Sequence, residues 1–208
     1  MNKKVIISIS RQYGSGGREI GEKIAAHYNI GYYDKKLLEI AAKESGLCDE
    51  IVAHYDEKKI SAAFMYPLSP NPYSHYAMNG MGVDKPLSMQ VFFAISGVIK
   101  KIAEKGSCVI VGRCADYILK DDPDLFSVFV CADDKDRVAR IMRRNNIESE
   151  KAAVQRMIKT DRDRARFYNY YSDLKWGVPA TYDLCVKSSF LGVDRTAEAI
   201  CDVIDKIR

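Results

Sequence analysis

The first thirty residues constrain the fold most. Val5-Ile6-Ile7-Ser8-Ile9-Ser10 is a β-branched run, followed without a spacer by a glycine-rich turn, Arg11–Gly17, and then by apolar residues at Ile20, Ile24, Ala25 and Tyr28. The run is apolar on both faces for most of its length, the pattern of a central strand in a sheet covered on both sides. The apolar spacing over Glu19–Tyr28 is helical. Strand, glycine turn and helix in this order open a parallel α/β unit.

The rest of the chain continues the alternation. Ile30-Gly31-Tyr32-Tyr33 reads as a brief second strand, and Asp34 as the N-cap of a helix carrying Leu37, Leu38, Ala41 and Ala42. An amphipathic helix is expected over Leu87–Lys105, then strands at Cys108–Val111, Leu125–Cys131 and Tyr182–Val186. Helices are expected over Asp134–Arg144, Ser149–Phe167 and Ala197–Ile207. Five short strands between helices, with no internal repeat, argue for an open α/β sheet. The segment Tyr66–Pro86 holds four of the six prolines, which excludes helix for most of its length; an ordered functional loop or a mobile one is expected there.

Composition narrows the class. The 208 residues are 47% hydrophobic and 29% charged, with a formal net charge of +4. A disordered chain would carry fewer apolar residues and a larger charge imbalance. This length suits one domain, 1–208, with a core that needs no staples. No apolar stretch approaches the ~20 residues of a membrane helix, and Met1-Asn2-Lys3-Lys4 enters the first strand without a signal-peptide pattern. A soluble, cytoplasmic protein without a membrane partner is the expectation. The six cysteines form no C-x-x-C, and His27, His54 and His75 lie outside zinc-ligand spacing, so buried, reduced thiols are expected.

Three features carry chemistry. In Ser10-Arg11-Gln12-Tyr13-Gly14-Ser15-Gly16-Gly17-Arg18-Glu19, glycines between a strand and a helix let backbone N–H groups close around an anion, although a plain tight turn uses the same residues. The loop departs from G-x-x-x-x-G-K-[ST]: with Gly16 on the second glycine, Arg11 stands on the first and Gly17 on the lysine. Arg18, one residue on, offers a planar fork of donors for the same phosphate oxygens, or is a solvated first-turn arginine. In Val111-Gly112-Arg113 an arginine follows a parallel strand directly, at the sheet edge where open α/β folds bind ligands. Residues 135–166 carry eleven Lys/Arg against five acids, a balance of +6 that leaves −2 for the remainder. Such a tract is a solvated face with ion pairs or, through Arg140, Arg144, Arg162 and Arg166, a clamp on a transferring phosphoryl group. Aromatic interleaving is confined to Phe167-Tyr168 and Tyr170-Tyr171, which speaks against nucleic acid as partner.

Taken together these residues resemble bacterial cytidylate kinases, and more closely the cytidylate kinase-like family whose phosphate loop lacks the usual lysine. Ile7-Ser8-Ile9-Ser10 through Gly14-Ser15-Gly16 is similar to the family's strand and phosphate loop, and Tyr33-Asp34 to the Leu-Asp that begins its nucleoside-monophosphate region. Gly112-Arg113 matches the pair whose arginine holds the acceptor phosphate. Arg137 and Arg140 fall where the lid helix begins, and Asp161-Arg162-Asp163-Arg164-Ala165-Arg166 resembles the run that closes the lid.

The resemblance implies an α/β, three-layer P-loop kinase fold with a five-stranded parallel sheet. It implies a phosphate loop at 10–19, an acceptor-binding insertion at about 34–105 and a helical lid at about 137–166. The implied reaction moves the γ-phosphoryl of ATP to a nucleoside monophosphate, CMP or dCMP first, or to a related small acceptor, with Mg²⁺. Arg11, Gly14, Ser15, Gly16, Gly17, Arg18 and Glu19 would then bind the donor, with Glu19 on Mg²⁺. Arg18, Arg140 and Arg162 would stabilise the transferring charge, and Asp34, Arg113, Lys159, Asp163 and Arg166 would hold the acceptor. Two other readings stay open: a nucleotide sensor that transfers nothing, suited to the lysine-less loop, and a kinase with a non-nucleotide acceptor, its pocket supplied by Tyr66–Pro86.

Overall fold

A computed structural model describes residues 4–47 and 87–207. Strands β1 (Ile6–Arg11), β2 (Gly31–Tyr33), β3 (Cys108–Val111), β4 (Leu125–Cys131) and β5 (Leu184–Lys187) form one parallel sheet in the order β2-β3-β1-β4-β5. The central position of β1 explains its composition. It pairs with β3 on one side and β4 on the other, and all six of its residues are buried. The described helices are α1 (Gly17–Tyr28), α2 (Lys36–Ser45), α3 (Leu87–Lys105), α4 (Ala115–Ile118), α5 (Asp134–Asn145), α6 (Glu150–Tyr171) and α7 (Ser188–Ile207).

The two-residue period of the strands sorts the core into two layers. Ile7, Ile9, Val109, Val111, Val128 and Val130 face α1 and α7, meeting Ile20, Ile24, Ile200 and Ile204. Ile6, Cys108 and Ile110 face α2 and α3, meeting Leu37, Ala41, Val91, Ile95 and Ile99. Each fully buried isoleucine contributes about 2 kcal/mol of hydrophobic stabilisation. The result is the expected three-layer α/β arrangement, with strand ends gathered on one carboxyl edge. Among the described residues no helix is long and apolar enough to cross a membrane.

Asp116 of α4 is buried and accepts a hydrogen bond from the Tyr168 hydroxyl at 2.6 Å, which ties the last turn of α6 to the segment after β3. Burial holds the Asp116 carboxyl above the ordinary carboxylate range and pushes the Tyr168 hydroxyl up as well, with the Asp116 charge adding to the second shift.

Several element boundaries differ from the sequence expectation. The helix expected from Ala197 begins at Ser188, with a non-helical Gly192 (φ 76°, ψ 172°) inside it. That glycine and the charged residues beyond it interrupt the apolar period that would have revealed the first turn. Strand β5 starts at Leu184, two residues later than expected, because Tyr182 leaves the ladder to pack its ring on Phe129, 5.0 Å between centroids. Helix α6 runs on to Tyr171, past the expected Phe167. Asp34 is not the N-cap of α2: Lys35 holds that position, and the Asp34 carboxylate is taken by an arginine described below. Cys108, Cys114 and Cys201 are buried and outside any disulfide, but Cys131 is only half-buried and Cys185 is exposed on the short edge strand. The expected loop Tyr66–Pro86, and Cys48, His54 and His75, lie outside the described residues.

Candidate active site

The turn after β1 is built to bring main chain close to its neighbours. Gly14 and Gly16 have φ of +82° and +85°, the left-handed region that side chains disfavour. A Cβ on Gly14 would lie 2.7 Å from the Arg137 carbonyl oxygen, and one on Gly17 would lie 2.6 Å from the Arg11 Cβ. Gln12 continues the sheet by donating its N–H to the Val130 carbonyl at 3.0 Å, and its side-chain oxygen accepts from the Ala132 N–H at 3.1 Å. Ser15 is fully buried; its hydroxyl and N–H both donate to the Gln12 carbonyl, while the Ser188 hydroxyl donates to the Ser15 carbonyl at 2.6 Å. Helix α1 starts directly at Gly17, so its first-turn amides have no partner within the helix and its positive dipole end faces the turn.

Gly14→Ala is therefore expected to destabilise the fold by about 2–4 kcal/mol, from the left-handed backbone plus displacement of α5. For a chain of this size that corresponds to a Tm lower by roughly 5–10 °C. Thermal unfolding followed by circular dichroism checks it; a change under about 1 °C would show that α5 gives way without cost.

A cavity of about 510 Å³ opens above this turn at the carboxyl edge of the sheet. Its floor is Arg11 to Gly14 with Gly16, Gly17 and Arg18; one wall is Asp34, Lys35 and Arg113; the other is Arg144 and Asn145 of α5 with Arg156, Lys159, Thr160, Asp163 and Arg164 of α6. Eight of these residues are cationic and two, Asp34 and Asp163, are acidic. In a low-dielectric cleft that imbalance focuses positive potential and favours a multiply charged anion.

The structure thus brings together Arg11, Gly14, Gly16, Gly17, Arg18, Asp34, Arg113, Lys159 and Asp163. Arg18 donates through Nε to Asp34 Oδ2 at 2.6 Å and closes an ion pair through Nη2, leaving its side chain 41% exposed while that of Asp34 is 7% exposed. Arg113 is buried and follows Gly112 in a turn where Arg113 and Cys114 are both left-handed, φ 60° and 56°. Arg140 does not line the cavity; its Nη1 donates to the Gly14 carbonyl at 2.6 Å, and burial disfavours its charge.

Ser15 lies beneath the loop, and Glu19, Arg162 and Arg166 lie outside the cavity wall. Glu19 sits on the first turn of α1, 3.9 Å from Arg144 Nη2. Arg162 and Arg166 are exposed, because the stripe of α6 that meets the loop is 156, 159, 160, 163 and 164. That three-and-four spacing is visible in the sequence, but Arg162 and Arg166 share an equally good stripe, so spacing could not choose between them. Among the described residues no cluster of three or more His, Cys, Asp or Glu is arranged to hold a metal. The wall of Asp34, Lys35 and Arg113 does offer one carboxylate, Asp34, and a magnesium ion brought by phosphate oxygens needs only one or two from the protein.

Sequence reading gave no individual role to Gln12, Tyr13, Lys35, Asn145, Arg156, Thr160 or Arg164, all of which line the cavity. It also missed a second cavity of about 450 Å³ between Asp133, Lys187, Ser189, Phe190, Leu191 and Thr196, where Phe190 is 86% exposed. This cavity adjoins the loop through Ser188, and through Val193, whose Cγ2 would lie 2.9 Å from a Cβ on Gly16.

A parallel sheet of order β2-β3-β1-β4-β5 with a glycine loop after the central strand defines the P-loop kinase fold. The chain belongs to the cytidylate kinase-like family, which matches it over residues 6–190. Curated relatives include the cytidylate kinase of Desulfurococcus amylolyticus, 28% identical over 203 residues that cover 98% of this chain and 94% of that one. The cytidylate kinase of Pyrococcus horikoshii is 26% identical over 212 residues, covering 98% and 92%. Among solved structures, an uncharacterized protein from Eubacterium ventriosum superposes with a TM-score of 0.73 at 32% identity, covering 97% and 99%. Shikimate kinase from Bacteroides thetaiotaomicron shares the fold, with a TM-score of 0.54 at 11% identity over 98% and 99%.

Proposed function

We propose that the protein is a nucleoside monophosphate kinase that transfers the γ-phosphoryl of ATP to CMP or dCMP. The observation that carries this reading is the single cleft in which the glycine loop, the dipole end of α1 and eight cations converge. Phosphoryl transfer needs little covalent chemistry from a protein; it needs two phosphates aligned and their spreading charge compensated. The loop, 10–19, takes the donor phosphates on its amides. Arg113, with Lys159 at the opposite wall, orients the acceptor phosphate, while Asp163 accepts from its sugar or base. Arg18 and Arg164 face the space between and compensate the charge of the transferring group. The cavity beside Phe190, about 450 Å³, lies next to the loop and has room for the donor's base. Magnesium, when bound, neutralises donor phosphate charge, with Asp34 as the carboxylate that fits it.

The lid reading of 137–166 and the acceptor reading of 34–105 follow from the same family relation. The cytidylate kinases among the relatives support CMP as first acceptor.

A second reading has its own support. The guanidinium that would replace the missing lysine is bound to Asp34, as expected of a loop that senses nucleotide without turning it over. Release of ADP in a coupled assay with ATP, Mg²⁺ and CMP, dCMP or UMP in turn decides between them. Turnover with CMP or dCMP at a catalytic efficiency at least about tenfold above UMP is the expected result. Calorimetric ATP binding with no turnover on any acceptor would establish the sensor instead.

A further inference from the structure

Tyr13 is held from both sides of its main chain by the α5–α6 hairpin. Its N–H donates to Asp161 Oδ1 at 2.7 Å, and its carbonyl accepts from Arg137 Nε at 2.8 Å. Arg137 and Asp161 are themselves joined in a close ion pair, and Arg137 Nη1 donates to Asp134 Oδ1 at 3.0 Å. The Arg137 side chain is 5% exposed. The ring of Tyr13 packs into the hairpin's own small core with Val138, Ile141, Ala153 and Met157, and the Arg164 guanidinium lies 5.6 Å from its centroid. Two neighbouring carbonyls are held in the same way: Gly14 accepts from Arg140 Nη1 at 2.6 Å, and Arg11 from Arg164 Nη1 at 3.0 Å.

We propose that Tyr13, Arg137 and Asp161 lock the glycine loop to the base of the α5–α6 hairpin, so that the hairpin's base sets where the loop amides point and the 146–149 connection lies outside the lock. The inference rests on the reading of 10–19 as a phosphate loop. Two physical reasons make the lock consequential. Carbonyl oxygens turned toward a phosphate would repel it, and guanidinium donors hold three of them on the hairpin instead. In a trans peptide the C=O and the next N–H point in opposite directions, so anchoring the Tyr13 carbonyl turns the Gly14 N–H away from the hairpin, free for an anion. Arg137 and Asp161 do not line the cavity and act only through Tyr13; they are positioning residues.

Amide hydrogen exchange on the ligand-free full chain tests the lock without reference to activity. Asp161→Ala is expected to speed exchange at Tyr13 by about tenfold or more, while β1 and β4 amides keep their protection. Asp161→Asn, which retains an acceptor for the Tyr13 N–H but loses the ion pair, is expected to fall between, and it carries the test if the alanine variant does not fold. In steady-state kinetics the same variants should raise KM for ATP by about tenfold and leave KM for CMP within about twofold. Unchanged exchange at Tyr13 in a folded Asp161→Ala or Asp161→Asn variant would overturn the lock. If exchange responds as expected but the wild-type chain neither binds nor consumes ATP, the lock stands and the kinase reading falls.

Discussion

Arg18→Ala is expected to lower kcat by about 100-fold or more while raising KM for ATP much less. Removing one preorganised donor from developing phosphoryl charge has that magnitude in comparable sites, because the group acts in the transition state more than in the ground state. The structural case is specific. Gly17 stands where a lysine would be, and a Cβ there would collide with Arg11, so no longer side chain can occupy the position. Arg18, on the same first turn of α1, is the cation that lines the cavity at that end. Its guanidinium rests on buried Asp34. The donor's phosphates must compete with that carboxylate, and the 41% exposure of the Arg18 side chain leaves it room to swing. Arg18→Lys should recover part of the loss, since it keeps the charge but not the planar fork. The check is kcat from ADP release at saturating ATP and CMP. A variant with unchanged kcat would remove Arg18 from the chemistry and leave it a tether for Asp34.

The second large effect concerns Arg113. Arg113→Ala is expected to raise KM for the acceptor monophosphate roughly 100-fold, with KM for ATP nearly unchanged, as for the loss of two charge-assisted hydrogen bonds to one phosphate. Gly112, Arg113 and Cys114 have φ of 76°, 60° and 56° in succession. Two non-glycine residues in the left-handed region cost on the order of 1–3 kcal/mol each, a strain that surrounding structure must hold in place. What the turn achieves is an arginine only 3% exposed yet lining the cleft. A cation that buried is well placed to meet an anion whose own hydration has been stripped. Initial-rate kinetics with each substrate varied in turn distinguishes the outcomes. A rise in KM for ATP instead would assign Arg113 to the donor.

How far the sequence carries toward this site differs from residue to residue. The glycine loop is legible because its constraints are local: a strand period of two, a helix period of 3.6, and glycines where the backbone turns left-handed between them. Gly112-Arg113 is legible because an arginine directly after a buried parallel strand can only emerge on the carboxyl edge. Asp34 shows the limit of such reasoning. Its position before a helix suits an N-cap, yet a charged partner sixteen residues earlier claims its carboxylate. Tyr13 marks the same limit from the other side, since nothing near it in the chain announces a lock with residues more than a hundred positions away.

The basic tract draws the line most clearly. Its +6 charge, its helical period and its place before the last strand are all properties of the sequence by itself, as are the α/β class and the glycine turn. Which arginines serve the cleft is not. Arg162 and Arg166 form one stripe of α6, and Arg156, Lys159, Thr160, Asp163 and Arg164 another; the second faces the loop and the first faces solvent. The choice was made by the docking of α6 through Ala153 and Met157 onto α5, and by Asp161 onto Arg137 and Tyr13. Periodicity defines faces of a helix but not their direction; rotation about the helix axis is set by contacts distant in sequence, and those exist only once the chain has folded.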